Sequence, residues 1–303
     1  MKSYNTLSKI EYGSGTAVAL GYFDGVHIGH RAVLNAAVDY AAQHGLHSAA
    51  FTFALPETGG FKGKKILSAE EKHRRIEKTG IDCYLRPPFS LFRSLSPEAF
   101  VFDILRDAFG AKAVFCGDNF TFGKNKAGNV IVLQQLCKSV GIEVCIVPMA
   151  QYNGAAVSST RIRTALENGD IPAVNAMLGE DYCIDFPVQH GKAVGRTLGF
   201  PTINQIYPAG MLLPKSGVYI TEATLQNGEK QPGATGLGPR PTVDSSSAVT
   251  CETFLPAWHG DLYGERVTLR FCRYLKPIVK FDTFAELQAY IDSAAKSALE
   301  YFC

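Results

Sequence analysis

Gly21-Tyr-Phe-Asp-Gly-Val-His-Ile-Gly-His30 decides how this chain is read. An apolar run, Thr16 to Phe23, precedes and overlaps it and reads as a buried strand. Arg31 to His44 follows and reads as a helix, with Val33, Ala37, Tyr40 and Ala41 on one face and Gly45 as its stop. A glycine-rich turn from strand to helix lets backbone N–H groups approach a phosphate, and the helix N-terminus favours negative charge there. His27 and His30 are three apart on the first turn, so both can point toward one anion. As donors they would stabilise charge developing on an α-phosphate and on departing pyrophosphate. Gly21, Phe23, Asp24, Gly25 and Gly29 complete the nucleotide-binding turn. The plain alternative is a glycine-rich turn carrying two surface histidines.

The rhythm of this turn continues outward. Strands are expected at His47 to Phe53, Ile81 to Leu85, Lys112 to Cys116 and Ile142 to Val147. Helices are expected from Ser68 to Gly80, Ser96 to Gly110, Val130 to Val140, Arg161 to Glu167 and Pro172 to Leu178. Alternation of this kind implies an α/β, Rossmann-like half with a mainly parallel sheet, which binds ligands at the carboxyl ends of its strands. After about Asp181 the pattern changes to short strand candidates separated by Gly, Pro and Asn: Cys183 to Gln189, Gly217 to Leu225, Lys230 to Gly236, Val249 to Leu255 and Glu265 to Arg273. A helix from Thr283 to Leu299 closes the chain. These predict a small antiparallel β-barrel, with the boundary at 180–183 and domains 1–181 and 182–303.

Composition sets the outer limits. Of 303 residues, 46% are hydrophobic and 19% charged, which is globular composition. Thirty basic against 28 acidic side chains leave a net +2, too small to point to nucleic acid or an anionic membrane as partner. No apolar run approaches the roughly 18 residues of a membrane span, and residues 1–12 lack a signal-peptide pattern, so a cytoplasmic protein is expected. The eight cysteines are scattered without a C-x-x-C pair, which argues for buried small hydrophobes over zinc or redox chemistry. Nothing indicates an oligomeric state.

Three further stretches carry chemistry. Ser158-Ser-Thr-Arg-Ile-Arg163 opens a helix, and Ser159, Thr160 and Arg161 there make a polyphosphate cradle, or an ordinary capped helix with solvated arginines. Gly117-Asp-Asn-Phe-Thr-Phe-Gly-Lys-Asn-Lys-Ala-Gly128 leaves a strand at the ligand edge. Its Asn119, Phe120 and Phe122 suit a planar ring with phosphate nearby, or simply pack a long loop. Gly191-Lys-Ala-Val-Gly-Arg-Thr-Leu-Gly-Phe-Pro-Thr-Ile-Asn204 begins as a flexible lid or phosphate loop, with Gly191, Lys192, Gly195 and Arg196 as candidate nucleotide contacts. It ends in a strand on which Thr202 and Asn204 face one side. Neutral oxygens so placed can hold a magnesium ion that keeps its own waters and nucleotide oxygens.

The first motif resembles the nucleotidyltransferase superfamily that also contains class I aminoacyl-tRNA synthetases. Taken together, G-x-F-D-G-V-H-x-G-H, G-D-N-F-T-F-G-x-x-x-x-G, S-S-T-R-I-R and P-T-x-N resemble the prokaryotic bifunctional riboflavin kinase/FAD synthetase family, in its order and over about Thr16 to Tyr290. The resemblance implies phosphorylation of riboflavin by ATP to FMN, then adenylylation of FMN by a second ATP to FAD and pyrophosphate. It implies that His27, His30, Asn119, Ser159, Thr160 and Arg161 handle ATP and FMN. It places Mg²⁺ at Thr202 and Asn204 and the general base for the kinase step at Glu252. ATP, riboflavin and FMN are then the small-molecule partners. The chain departs from the family pattern in several places. Thr52-Phe-Ala-Leu-Pro-Glu57 stands where the family has T-F-x-P-H-P. Gly236 stands for Asn, Phe254 for His, and Lys276 and Ile278 for an Arg and a Glu. Two other readings stay open: a single retained activity, or a non-catalytic flavin- or RNA-binding regulator.

Overall fold

The computed structural model describes residues 1–6, 13–55, 64–190, 200–208, 210–239 and 249–303. It falls into two compact units: Met1–Gly63 with Ala69–Ser159, and Lys64–Ser68 with Thr160–Cys303.

The first unit is built on six parallel strands: β1 (Lys2–Tyr4), β2 (Thr16–Leu20), β3 (His47–Phe51), β4 (Cys83–Leu85), β5 (Ala111–Gly117) and β6 (Glu143–Val147). Their spatial order is β1-β4-β3-β2-β5-β6. The chain lays down β2, β3 and β4 in one direction, then returns to the other side of β2 for β5 and β6. That reversal leaves a crevice at the carboxyl ends of β2 and β5, where an open α/β sheet binds ligands. β2 is buried over its whole length, as a central strand covered on both faces must be. Among the described residues the α-helical connections are α1 (Ile28–His44), α2 (Ala69–Glu77), α3 (Pro97–Ala99, continuing as a π-helix over Phe100–Ala108) and α4 (Val130–Ser139). Phe51, Phe100, Phe109 and Leu133 anchor one face of the sheet. A two-strand hairpin, β7 (Gln151–Tyr152) and β8 (Ala155–Ala156), follows β6.

Helices α5 (Ser159–Asn168) and α6 (Ile171–Leu178) come next, and all of this segment but Ser159 clusters with the second unit. That unit is an antiparallel sheet of six strands: β9 (Cys183–Pro187), β10 (Thr202–Tyr207), β11 (Gly217–Thr224), β12 (Lys230–Pro239), β13 (Val249–Phe254) and β14 (Arg266–Lys276). They run β10-β13-β12-β11-β14-β9. A bridge from Gln189 N–H to the Asn204 carbonyl, 2.7 Å, ties the two ends together and nearly closes the barrel. Tyr182, Tyr219 and Phe271 fill its interior. The Tyr182 and Tyr207 hydroxyls meet at 2.7 Å, and Tyr207 donates onward to the Leu212 carbonyl at 2.6 Å. Helix α7 (Phe284–Phe302) lays Ala298 against Ile220 and Cys272.

The sequence reading and this structure agree on the type of nearly every element. Three differences have plain causes. Helix α1 begins at Ile28, three residues before the expected start, because the His27 imidazole caps it. The helix after Ser96 widens to π register, with Phe109 N–H reaching the Ile104 carbonyl at 3.0 Å. Strand β1 is three residues long and carries no apolar pattern; it is held by its pairing with β4.

Candidate active sites

The turn after β2 lies at the crevice. His27 is the N-cap of α1, and its Nδ1 accepts the His30 N–H at 3.2 Å. That bond leaves the His27 proton on Nε2, which can donate. The two imidazoles stack with centroids 3.6 Å apart and planes 16° apart. Burial pushes the His27 pKa down to about 4, so His27 works as a neutral donor at pH 7. The glycines have steric reasons. A Cβ on Gly21 would come within 2.7 Å of the Phe23 ring, and one on Gly29 within 3.3 Å of the His27 ring. Gly25 has φ +88°, and Phe23 and Val26 share the left-handed region at +53° and +44°. For side chains of that size such angles are strained and persist only under firm local restraint. The Phe23 ring is buried and sets its edge against His30 at 5.4 Å. Asp24 is buried too, and its carbonyl accepts the Ser159 hydroxyl at 2.9 Å. The first residue of α5 is thereby joined to the histidine turn. Thr160 and Arg161 follow on that helix, within the second unit.

The loop after β5 reaches the same crevice edge. Asn119 is exposed, with its Nδ2 3.7 Å from Met149 Sδ at the end of β6. Phe120 is half-buried and stacks on Phe122 at 5.8 Å. Phe122 is buried against Phe100 in the core. Sequence reasoning missed the segment after β6, where Met149 is exposed and Ala150 approaches the Gly29 position to 3.8 Å. It also missed Lys72, which sits on the charged helix α2. In the structure Lys72 is buried and donates to the Tyr22 carbonyl and, at 2.9 Å, to Thr52 Oγ1.

The second constellation lies on the barrel. Asn204 pairs directly with Glu252 across β10 and β13, and Glu252 pairs with Gly236 across β13 and β12. Residues directly opposite in an antiparallel ladder share a face, so Thr202, Asn204, Glu252 and Gly236 lie on one side. Cys251 and Thr253, fully buried, occupy the other. Glu252 is exposed, whereas Asn204 is buried and its Nδ2 lies 3.5 Å from the Thr202 carbonyl. Phe254, opposite Thr202, meets Phe200 edge-on at 5.3 Å. Gly191, Lys192, Gly195 and Arg196 lie outside the described residues. Among the described residues no group of three or more His, Cys, Asp or Glu is placed to hold a metal. Thr202 and Asn204 offer neutral oxygens instead, a donor set that suits a hard cation already carrying phosphate oxygens and water.

The first unit is a nucleotidyltransferase-type α/β domain and the second a riboflavin-kinase-type barrel. The FAD synthetase family model matches residues 9–161, and the riboflavin kinase family model residues 178–302. A bifunctional riboflavin kinase/FMN adenylyltransferase of Listeria monocytogenes is 32% identical over 291 residues, covering 94% of this chain and 92% of that protein. One from Bacillus subtilis is 32% identical over 297 residues, covering 95% and 92%. A crystal structure described as a macrolide-efflux protein from Streptococcus pneumoniae superposes with a TM-score of 0.87 at 27% identity, covering 98% of this chain and 97% of that one. The chain belongs to the bifunctional riboflavin kinase/FMN adenylyltransferase family. It is an enzyme of flavin biosynthesis with both catalytic domains present, in family order. No helix among the described residues is long and apolar enough to cross a membrane.

Proposed function

We propose that residues 1–181 adenylylate FMN and residues 182–303 phosphorylate riboflavin, each at the constellation described above. The observation that carries this division is that the two constellations fall on separate sheets, one at a switch-point crevice and one on a barrel face. The riboflavin kinase family match begins at residue 178, close to the proposed boundary.

In the adenylyl-transfer site an FMN phosphate oxygen attacks the α-phosphorus of ATP. The bond from that phosphorus to the bridging oxygen breaks, and pyrophosphate leaves. His27 donates from Nε2 and His30 from its ring to the charge that develops, an effect worth several kcal/mol in a water-poor site. The turn of Gly21, Phe23, Asp24, Gly25 and Gly29 shapes the pocket, and Ser159, Thr160 and Arg161 bind the polyphosphate. Asn119 and the accessible part of Phe120 meet the flavin, with Phe122 bracing Phe120 from the core.

In the kinase site Glu252 accepts the proton of the riboflavin ribityl hydroxyl as its oxygen attacks the γ-phosphorus, and ADP leaves. Gly191, Lys192, Gly195 and Arg196 bind the nucleotide, and Thr202 and Asn204 hold the metal, which we take to be Mg²⁺. When bound, the cation would neutralise phosphate charge. Free riboflavin, FMN and ATP are the partners in this reading, without nucleic acid or membrane. Scattered cysteines without a C-x-x-C pair suit the reducing cytoplasm.

Chromatographic product analysis tests the proposal. With MgATP, riboflavin should give FMN and then FAD, and supplied FMN should give FAD alone. FMN as the end product from riboflavin, with supplied FMN left unconverted, would show that the first unit does not catalyse.

A further inference from the structure

We propose that Lys72 is a positioning residue for adenylyl transfer, holding through the Tyr22 carbonyl the turn that carries His27 and His30. This rests on the assignment of those histidines to the adenylyl-transfer site.

Lys72 projects from α2, and only 9% of it is exposed. Burying an ammonium is costly unless its protons are matched by acceptors. Here they meet a fixed pair. Nζ donates to the Tyr22 carbonyl and to Thr52 Oγ1, and Thr52 Oγ1 donates to the same carbonyl at 2.9 Å. Thr52 is itself anchored, because its N–H reaches the Leu85 carbonyl at 2.9 Å. The ammonium also lies 4.6 Å from the Tyr22 ring centroid, and that ring stacks on Phe53 at 4.8 Å. Tyr22 is thus gripped by carbonyl and ring at once.

The grip falls where the backbone needs it. The next residue, Phe23, has φ +53°, and Val26 has +44°. Their conformation must be imposed from outside the turn, and strain of this kind persists only when surroundings over-determine it. Phe23 then packs on His30, and His30 N–H bonds His27 Nδ1. A continuous series of contacts runs from Lys72 to both imidazoles. In this proposal Lys72 acts on the reaction through that series and not by touching substrate.

Lys72→Met keeps the side-chain length and removes the ammonium. The expected result is a fall of about 100-fold in kcat for FAD formation from FMN, the scale of a misplaced catalytic group, with KM for ATP changed less than about threefold. Riboflavin phosphorylation by the same preparation should be unchanged, which verifies the amount of folded barrel. Thr52→Val removes the second support and should cost about tenfold. The double variant should fall no more than about twofold below Lys72→Met, because both groups act through one carbonyl. A purely stabilising lysine would leave kcat per folded molecule intact, whereas two groups acting independently would give losses that multiply.

Lys72→Met protein that is folded by near-ultraviolet circular dichroism and keeps kcat within about threefold overturns the proposal. Multiplying losses in the double variant do so too. If Lys72→Met does not fold, Thr52→Val decides: a loss near tenfold supports the positioning role and unchanged kcat ends it. His30→Ala is run alongside. Its inactivity with active Lys72→Met sinks the lysine proposal alone, whereas active His30→Ala removes the histidine assignment on which it rests.

Discussion

The His30 backbone N–H donates to the His27 ring at 3.2 Å, and the two rings stack at 3.6 Å. One hydrogen bond therefore does two things. It starts helix α1, and it leaves the His27 proton on the nitrogen that is free to donate. A second positive imidazole in so close a stack would be repelled, so a neutral His27 suits the arrangement.

The neutral state has a consequence for stability. The folded His27 titrates at about 4, against 6.5 as its ordinary value. Above pH 6.5 neither state takes a proton there. As pH falls from 6.5 to 4 the unfolded chain binds a proton that the folded one refuses, so stability is lost through this window. The ceiling is about 3 kcal/mol from this one group. Urea melts at pH 7.5 and 5 should show a smaller difference for His27→Asn, which still caps the helix but does not titrate. An equal difference in both proteins would contradict the burial argument.

Gly29→Ala separates helix stability from geometry. Alanine is the better helix former by about 1 kcal/mol. Its methyl group would stand 3.3 Å from a His27 ring held by the cap bond and the stack. We expect FAD formation to fall about tenfold while the melting temperature holds or rises, and FMN formation to stay level. Steady-state rates and a thermal melt read all three.

Glu252→Gln keeps the side-chain shape but removes the proposed proton acceptor. Riboflavin phosphorylation should drop by about 100-fold or more, the usual scale of general-base loss. FAD formation from supplied FMN should continue at the parent rate. Equal loss of both activities would speak against separate sites.

Inside the barrel, Thr235 joins Thr221 and Thr253 through contacts of 2.8 Å each, and all three are fully buried. Thr235→Val preserves volume and strips a partner from both neighbours. The expected cost is about 1–3 kcal/mol, since buried hydroxyls left short of a partner lose their hydration without return. Trp258, the chain's single tryptophan, lies in the barrel unit and lets fluorescence follow the denaturant transition.

Much of this molecule was legible beforehand because its patterns are local. The glycine turn, the change from helical to strand spacing near Asp181, and the cap at Ser96 each announce themselves within a few residues. The Ser96 hydroxyl does accept the Ala99 N–H, at 3.2 Å. Lys72 was not legible for the same reason. Ala69-Glu-Glu-Lys-His-Arg-Arg75 looks like a solvated face, yet Glu71, Lys72 and Arg75 are buried. Arg75 bonds Glu71 at 2.6 Å, and Lys72 finds acceptors from distant turns. Charge on a helix signals exposure only when nothing elsewhere in the chain comes to neutralise it.

The order of residues alone determined which segments become strands and helices and where the rhythm switches from α/β to β. Those properties depend on neighbours a few positions apart. Tertiary structure decided the rest: that β2 and β5 flank the switch point, that Asn204 stands opposite Glu252, and that the Tyr22 carbonyl meets a buried ammonium. Strand order and cross-strand register arise from pairings tens of residues apart, chosen by which arrangement buries the apolar faces together, and no short stretch of sequence encodes that choice.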